Sequence, residues 1–295
     1  MKFLFWIAKF IFALINILPF RIKYILSDTL SPVLNHIVKY RKKVITENLE
    51  NSFPEKNKAQ IKLIIKEFYR HLTDLIFEIL KLDTLSKEEL FRRVTVSGED
   101  ILTSLAEKKK GVVVVMSHTG NWEWTSQRVC FSGRCFEYVG VIAKEVSDPY
   151  FDQYFTDIRM KLQKGYSEII PFTQTARYLA AIRHKTSLLI TIADQTPHVN
   201  QIQYRTEFLR QDSAVFLGPE RISKSLNFAV VFCHVSKTGR GLYHIEYELV
   251  TDTPKQDQPY EITNSHVKML EHDIRNQPEI WLWSHRRWKY KREKN

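Results

Sequence analysis

Residues 111–124 read Gly-Val-Val-Val-Val-Met-Ser-His-Thr-Gly-Asn-Trp-Glu-Trp, and Val112 to Val115 are apolar at odd and even positions alike. A half-exposed strand alternates in polarity. An unbroken run suits a strand covered on both faces, as in a parallel sheet between helices. The run stops at Ser117 and His118, and Thr119-Gly120-Asn121 has the composition of a turn. Asn121 suits a helix N-cap, with Trp122 to Arg128 as the first turns of the helix.

The same reading extends in both directions. Phe3 to Leu18 is apolar except at Lys9 and Asn16 and is followed by Pro19. A helix is expected over Arg41 to Leu49, and Phe53-Pro54-Glu55 ends it. Ile61, Ile64, Ile65, Phe68, Leu72, Leu75, Ile76 and Ile79 then recur at three- and four-residue spacing, which predicts one apolar helical stripe packed on a core. A short strand is predicted near Val94 to Val96, then a helix from Glu99 to Lys109. Beyond the central stretch the pattern predicts strands at 136–143, 169–172 and 187–193, separated by helices at 150–164 and 173–184. Residues 196–217 are polar and irregular, long enough for a functional loop over a site. A helix from Gly218-Pro219 to Leu226 and strands at 228–235 and 243–249 follow. The second of these alternates through Glu246 and Glu248, as an edge strand would. A helix at 260–276 and a Trp-rich tail complete the chain.

Alternating strands and helices of these lengths predict an α/β fold: a mixed, mostly parallel central sheet flanked by helices, behind a helical N-terminal layer. The expected division is an apolar anchor over residues 1–20 and one α/β domain over 21–295. A chain of 295 residues with 44% hydrophobic composition has material for such a core. Cys130, Cys135 and Cys233 form no CxxC pair, which argues against a disulfide framework or a zinc site and leaves each as a small buried apolar residue. No metal or cofactor is expected, and His71, His184, His198, His234, His244, His266 and His272 lack paired ligand spacing.

The formal net charge of +11 sits at the two ends. Residues 1–43 carry eight Lys/Arg against Asp28, and residues 281–295 carry six against Glu293, so the remainder is close to neutral. Terminal basicity beside an apolar segment suits an anionic membrane surface or an acidic protein partner. No nucleic acid is expected as a partner, because no recognisable nucleic-acid module accompanies the charge. The apolar N-terminal segment is shorter than the roughly 20 residues that span a bilayer. It also lacks a cleavage site. A helix lying in one leaflet, with Trp6 and flanking Lys/Arg at the headgroups, is the reading adopted; a buried core helix and a spanning helix are the alternatives.

For chemistry, the end of the central strand is the informative place, since ligands of open α/β sheets bind beyond the carboxyl ends of the strands. On one continuous helix, His118 and Glu123 would point to different faces. With His118 in the turn and Glu123 in the first helical turn, the chain can bring carboxylate to imidazole. Such a pair fixes the tautomer and leaves the other ring nitrogen as a general base. The competing reading is a capping His beside a solvated Glu.

The stretch His118-Thr-Gly-Asn-Trp-Glu123 resembles the signature of bacterial lipid A late acyltransferases, within the lysophospholipid acyltransferase-like group. Agreement in order comes from Asn48-Leu49 with Phe53-Pro54-Glu55, Arg159 before Gly165, Asp194-Gln195, and Pro278-Glu279 with Trp281-Leu-Trp-Ser-His-Arg-Arg-Trp-Lys289. The resemblance implies acyl transfer from an acyl thioester on acyl carrier protein to a lipid A precursor hydroxyl, at the cytoplasmic face of the inner membrane. It makes His118 the base and Glu123 its orienting partner. No protein nucleophile is required. We expect Gly120 and Asn121 to offer backbone N–H groups to the oxyanion. Arg159 is expected to contact an anionic substrate, and Asp194 and Gln195 either line the site or simply end a strand. Arg286, Arg287 and Lys289 are expected as membrane-surface charge or as packing on Trp283 and Trp288. Alternatives are the same chemistry on a lysophospholipid, glycolipid or aminolipid, and a non-catalytic basic membrane-surface or nucleic-acid-binding protein.

Overall fold

The computed structural model describes residues 2–290. Helices α1 (Lys2–Ile17) and α2 (Phe20–Pro32) precede α3 (Lys42–Ser52) and the long α4 (Lys58–Lys81). Then come α5 (Lys87–Arg93), β1 (Val94–Ser97), α6 (Glu99–Glu107), β2 (Val112–Met116) and α7 (Trp122–Ser132). The chain continues through β3 (Tyr138–Ala143), α8 (Pro149–Lys161), β4 (Glu168–Pro171), α9 (Thr175–Ile182) and β5 (Ser187–Ile192). A hairpin of β6 (Arg205–Phe208) and β7 (Gln211–Ala214) leads to α10 (Gly218–Leu226), β8 (Ala229–Gly239), β9 (Leu242–Thr251) and α11 (Glu261–Asn276).

Seven strands form one sheet in the order β1-β9-β8-β2-β5-β3-β4. Every pairing is parallel except β8 with β9. β2 lies between β8 and β5, and all five of its residues are buried. Its side chains feed two cores. Val112, Val114 and Met116 pack on one side of the sheet, Val113 and Val115 on the other. This is the two-faced burial that the valine run predicted.

Two expectations change. β9 is not an edge strand: it pairs β1 on one side and β8 on the other. Its alternation records exposure of the Glu246 and Glu248 face, which depends on what covers the sheet rather than on position within it. Residues 196–217, expected to be irregular, contain the β6–β7 hairpin. Leu209 and Arg210 both take positive φ in its tight turn (50° and 61°). Neither is a usual residue for that conformation, so the turn left no signal in the sequence.

α4 carries more than the apolar stripe suggested. Its buried face includes His71, Asp74 and Glu78, while Ile76 is exposed. α1 packs through Phe5 and Phe12 onto Tyr154 of α8 and leaves Phe3, Leu4, Phe10, Leu14 and Ile17 exposed. Among the described residues, no helix is long and apolar enough to cross a membrane. The helix expected as a membrane anchor is thus a surface helix with an uncovered apolar face, and the fold itself does not support anchoring. Cys130 and Cys233 are buried as expected, but Cys135 is exposed. Lys291, Arg292, Glu293 and Lys294 of the basic tail lie outside the described residues.

Candidate active site

Parallel pairing brings two strand ends side by side. Met116 of β2 is opposite Ile192 of β5, and the Ala193 N–H donates to the Met116 carbonyl at 3.1 Å. His118 and Asp194 each lie two residues beyond that pair, so they leave the sheet at matching places. The His118 Nδ1 is 2.6 Å from Asp194 Oδ1, and the His118 backbone N–H donates to Oδ2 at 3.0 Å. Oδ2 also accepts from the Trp281 indole at 2.9 Å.

Burial opposes a charged Asp194, but the neighbouring His118 and these three hydrogen bonds hold its carboxyl down at about 2. An ionised carboxylate only accepts hydrogen bonds, so Nδ1 carries the ring proton and donates it. Nε2 keeps its lone pair and faces the cavity, 3.2 Å from the Gln195 side-chain nitrogen. The His118 side chain is 18% exposed and that of Asp194 3%. A histidine whose tautomer is set in this way by a desolvated carboxylate has the arrangement that can serve as a general base.

The pairing of His118 with Glu123, expected from the sequence, is not formed. Glu123 instead accepts two hydrogen bonds from Arg159 of α8, Nε to Oε2 at 2.8 Å and Nη2 to Oε1 at 2.5 Å. The physical reason is direction. Asn121 caps α7 by accepting from the Trp124 N–H, so the helix begins immediately and points Glu123 toward α8. The Arg159 guanidinium is therefore committed to Glu123 rather than free for an anion. Burial works against its charge, yet the hydrogen bonds and charge of Glu123 raise its pKa overall.

Gly120 and Asn121 also differ from expectation. The Gly120 N–H donates to the Ile280 carbonyl at 2.9 Å, so it is not available to an oxyanion. Gly120 has φ +60°, and a Cβ there would meet Tyr243 and Val235 at 3.0 Å, so glycine is needed on both counts. Asn121 is fully buried and donates to Glu78 Oε2 at 3.0 Å. Glu78 also accepts from the hydroxyls of Tyr243 (2.8 Å) and Tyr24 (3.1 Å), while its backbone carbonyl takes the Trp124 indole (3.0 Å). Burial pushes the Glu78 carboxyl up, against the hydrogen bonds it accepts from Tyr243 and Asn121.

The Trp-rich tail closes the turn from the other side. The Leu282 N–H donates to the His118 carbonyl at 3.2 Å, and Thr119 bridges Trp281. Asn48 of α3 donates to the carbonyls of Trp283 (2.9 Å) and His285 (3.0 Å), and Phe53 packs on Trp283. Arg287, expected at a surface or against Trp283 and Trp288, is buried. It donates to the Ala214 carbonyl at 2.6 Å and to Thr196 Oγ1 at 3.3 Å. Arg286 and Lys289 are exposed.

His118, Glu123, Arg159 and Gln195 line one cavity of about 350 Å³. It runs beneath α7 and between the ends of β3 and β5, with Val141, Ile142, Ile190 and Ile192 among its apolar wall. Cys130 lines it as well, but burial pushes that thiol up to about 12 and so keeps it protonated and a poor nucleophile. The site thus offers a histidine held in one tautomer, a protonated thiol, and a partly apolar space.

The family model of bacterial lipid A biosynthesis acyltransferases matches residues 1–290. The chain belongs to that family. No individual curated protein matches at a significant level. As a lipid A biosynthesis acyltransferase, the protein is an enzyme that transfers an acyl group, and its acceptor is a lipid. Of the residues singled out from the sequence, His118, Glu123, Arg159 and Gln195 line the cavity, Asp194 lies behind His118, and Gly120 and Asn121 form the support beneath. Sequence reasoning missed Trp281 as a ligand of the Asp194 carboxylate, and Glu78 as the acceptor that holds α7. A carboxylate inside an apolar helical stripe was the available signal for Glu78.

Proposed function

We propose that this acyltransferase moves a fatty acyl group from acyl carrier protein to a hydroxyl of a lipid A precursor, with the His118–Asp194 pair as the base. The observation that carries the reading is the 2.6 Å hydrogen bond from His118 Nδ1 to a buried carboxylate, with His118 on the wall of a partly apolar cavity. Nε2 takes the acceptor hydroxyl proton while the oxygen bonds to the thioester carbonyl carbon. The tetrahedral oxyanion then collapses, the carbon–sulfur bond breaks, and His118 returns the proton to the leaving thiolate. Proton and charge balance without a covalent enzyme intermediate.

With the Gly120 N–H already used and the Arg159 guanidinium paired with Glu123, the group that stabilises the oxyanion is the Gln195 amide, on the cavity wall beside His118. Residues 21–295 form the catalytic domain, and residues 1–20 meet the membrane. The uncovered apolar face of α1 enters the interfacial region of the inner membrane from the cytoplasmic side. Lys9, 5.2 Å from the Trp6 ring, and the neighbouring basic residues sit among anionic headgroups.

The test compares lipid mass spectra of cells carrying the wild-type protein or His118→Ala. A lipid A species heavier by one acyl chain, present only with the wild type, is expected. The same acylated species with both proteins would refute the assignment of His118.

A further inference from the structure

Helix α2 is turned inside out. Lys23, Ser27 and Ser31 lie on its buried face, where the Ser27 hydroxyl is 2.9 Å from Thr73 Oγ1 and donates to Asp74 Oδ1 at 2.7 Å, both on α4. Ile22, Ile25 and Leu26 are on the outside, with Ile25 58% exposed. A helix packed on a core in water shows the opposite arrangement. Fourteen of the twenty-four large exposed hydrophobic side chains among the described residues fall between Phe3 and Tyr40. Such exposure therefore belongs to the N-terminal layer rather than to the surface at large, and it continues past α2 into Ile37 (75% exposed) and Val38. The segment that follows is held in place. The Tyr69 hydroxyl donates to the Tyr40 carbonyl at 2.7 Å, and Arg41 Nη1 to the Ser284 carbonyl at 2.9 Å. Lys39 and Arg41 take positive φ (53° and 49°), a conformation unfavourable for both. Ile37 and Val38 are thus presented to the outside, not collapsed onto the core.

We infer that α2 and residues 37–43 form a second contact with an anionic lipid bilayer, separate from that of α1. The charges select this occupant. Arg21, Lys39, Arg41 and Lys43 flank the apolar side chains and are exposed. Asp28, the single acid in residues 1–43, is taken by two hydrogen bonds from Arg240. Glu47, the next acid along the chain, stands 3.8 Å from Lys43 and leaves the other three cations uncompensated from this stretch. A second copy laid on this face would bring like charges together, whereas anionic headgroups meet them with the opposite sign. Ile25, Leu26, Ile37 and Val38 enter the boundary between headgroups and acyl chains, and the basic side chains stay among the phosphates. The contact is also joined to the site. Arg41 holds Ser284, and the next residue, His285, accepts at 3.3 Å from the N–H of Thr196, a residue of the cavity wall. The bilayer contact and the cavity therefore share the 284–285 segment.

The test is co-sedimentation of purified full-length protein with vesicles of phosphatidylethanolamine and phosphatidylglycerol, or of phosphatidylcholine alone. Binding is read without catalysis, so its outcome is separate from that of the acyl-transfer reading. Ile25→Ser with Ile37→Ser should weaken binding to the anionic vesicles by about tenfold or more. Lys39→Gln with Lys43→Gln should weaken it by about fivefold per charge and leave binding to phosphatidylcholine unchanged. Both pairs lie at the surface, so circular dichroism should show the wild-type fold. With Phe3→Ser and Phe10→Ser on α1, a residual affinity should remain, which the Ile25 and Ile37 substitutions then remove. Wild-type affinity in Ile25→Ser with Ile37→Ser would overturn the second contact and leave α1 as the only one. If those substitutions left vesicle binding unchanged but abolished binding to acyl carrier protein, or dissociated a dimer, the face would belong to an acidic protein or to a second copy, and the inference would fall. Absence of wild-type binding to either vesicle would overturn both membrane contacts.

Discussion

Two carboxylates, Glu123 on the cavity wall and Asp194 behind His118, behave differently. Asp194 is buried and accepts three hydrogen bonds, two from His118 and one from Trp281. Glu123 is only five residues from His118 in sequence, yet meets a guanidinium at the cavity wall. The first carboxylate controls the proton on the His118 ring. The second controls the place of a cation. Spacing along the chain favoured Glu123 for the first task, but register across the sheet gives that task to Asp194. Neighbouring parallel strands deliver residues far apart in sequence to the same point with little freedom, while a helix cap turns an adjacent residue away.

The comparison can be broken residue by residue. His118→Ala should lower kcat by roughly a thousandfold or more, as expected for loss of a general base, with the folded structure retained by circular dichroism. Asp194→Asn should lower kcat by about a hundredfold to ten-thousandfold, because an amide can present its N–H to Nδ1 and favour the wrong tautomer. Glu123→Gln should cost about tenfold to a hundredfold in kcat/KM, mostly through KM, since it leaves Arg159 charged without its partner; the pH dependence of kcat should be retained. Trp281→Phe keeps most of the packing and removes one hydrogen bond to a charged group, so a loss of about tenfold in kcat is expected. The smallest effect is on stability. Because the Asp194 carboxyl sits at about 2 in the folded protein, below its unfolded value, its contribution is complete above about pH 4 and disappears as pH falls toward 2. Denaturant titrations of wild type and Asp194→Asn should therefore converge by on the order of 2 kcal/mol over that window.

Much of this was legible beforehand. The valine run located β2 and its burial, and the turn after it placed His118 at a strand end. The repeat of that pattern at Ser187 to Asp194 contained the answer to which carboxylate meets His118, because two parallel strands that end alike end together. Strand order is a property of long-range pairing, so it does not appear in local periodicity. The tail was legible as a motif but not as a ligand, since the Trp281 indole reaches Asp194 from 87 residues away. Glu78 was hidden for a different reason: its donors come from α2, the α7 cap and β9, and none lies on its own helix.

The most direct measurement is proton NMR of the His118 ring. The Nδ1 proton should give a strongly deshielded resonance in the wild type, persist in Glu123→Gln, and vanish in Asp194→Asn. A resonance lost in Glu123→Gln and kept in Asp194→Asn would contradict the assignment of Asp194 as the partner of the base.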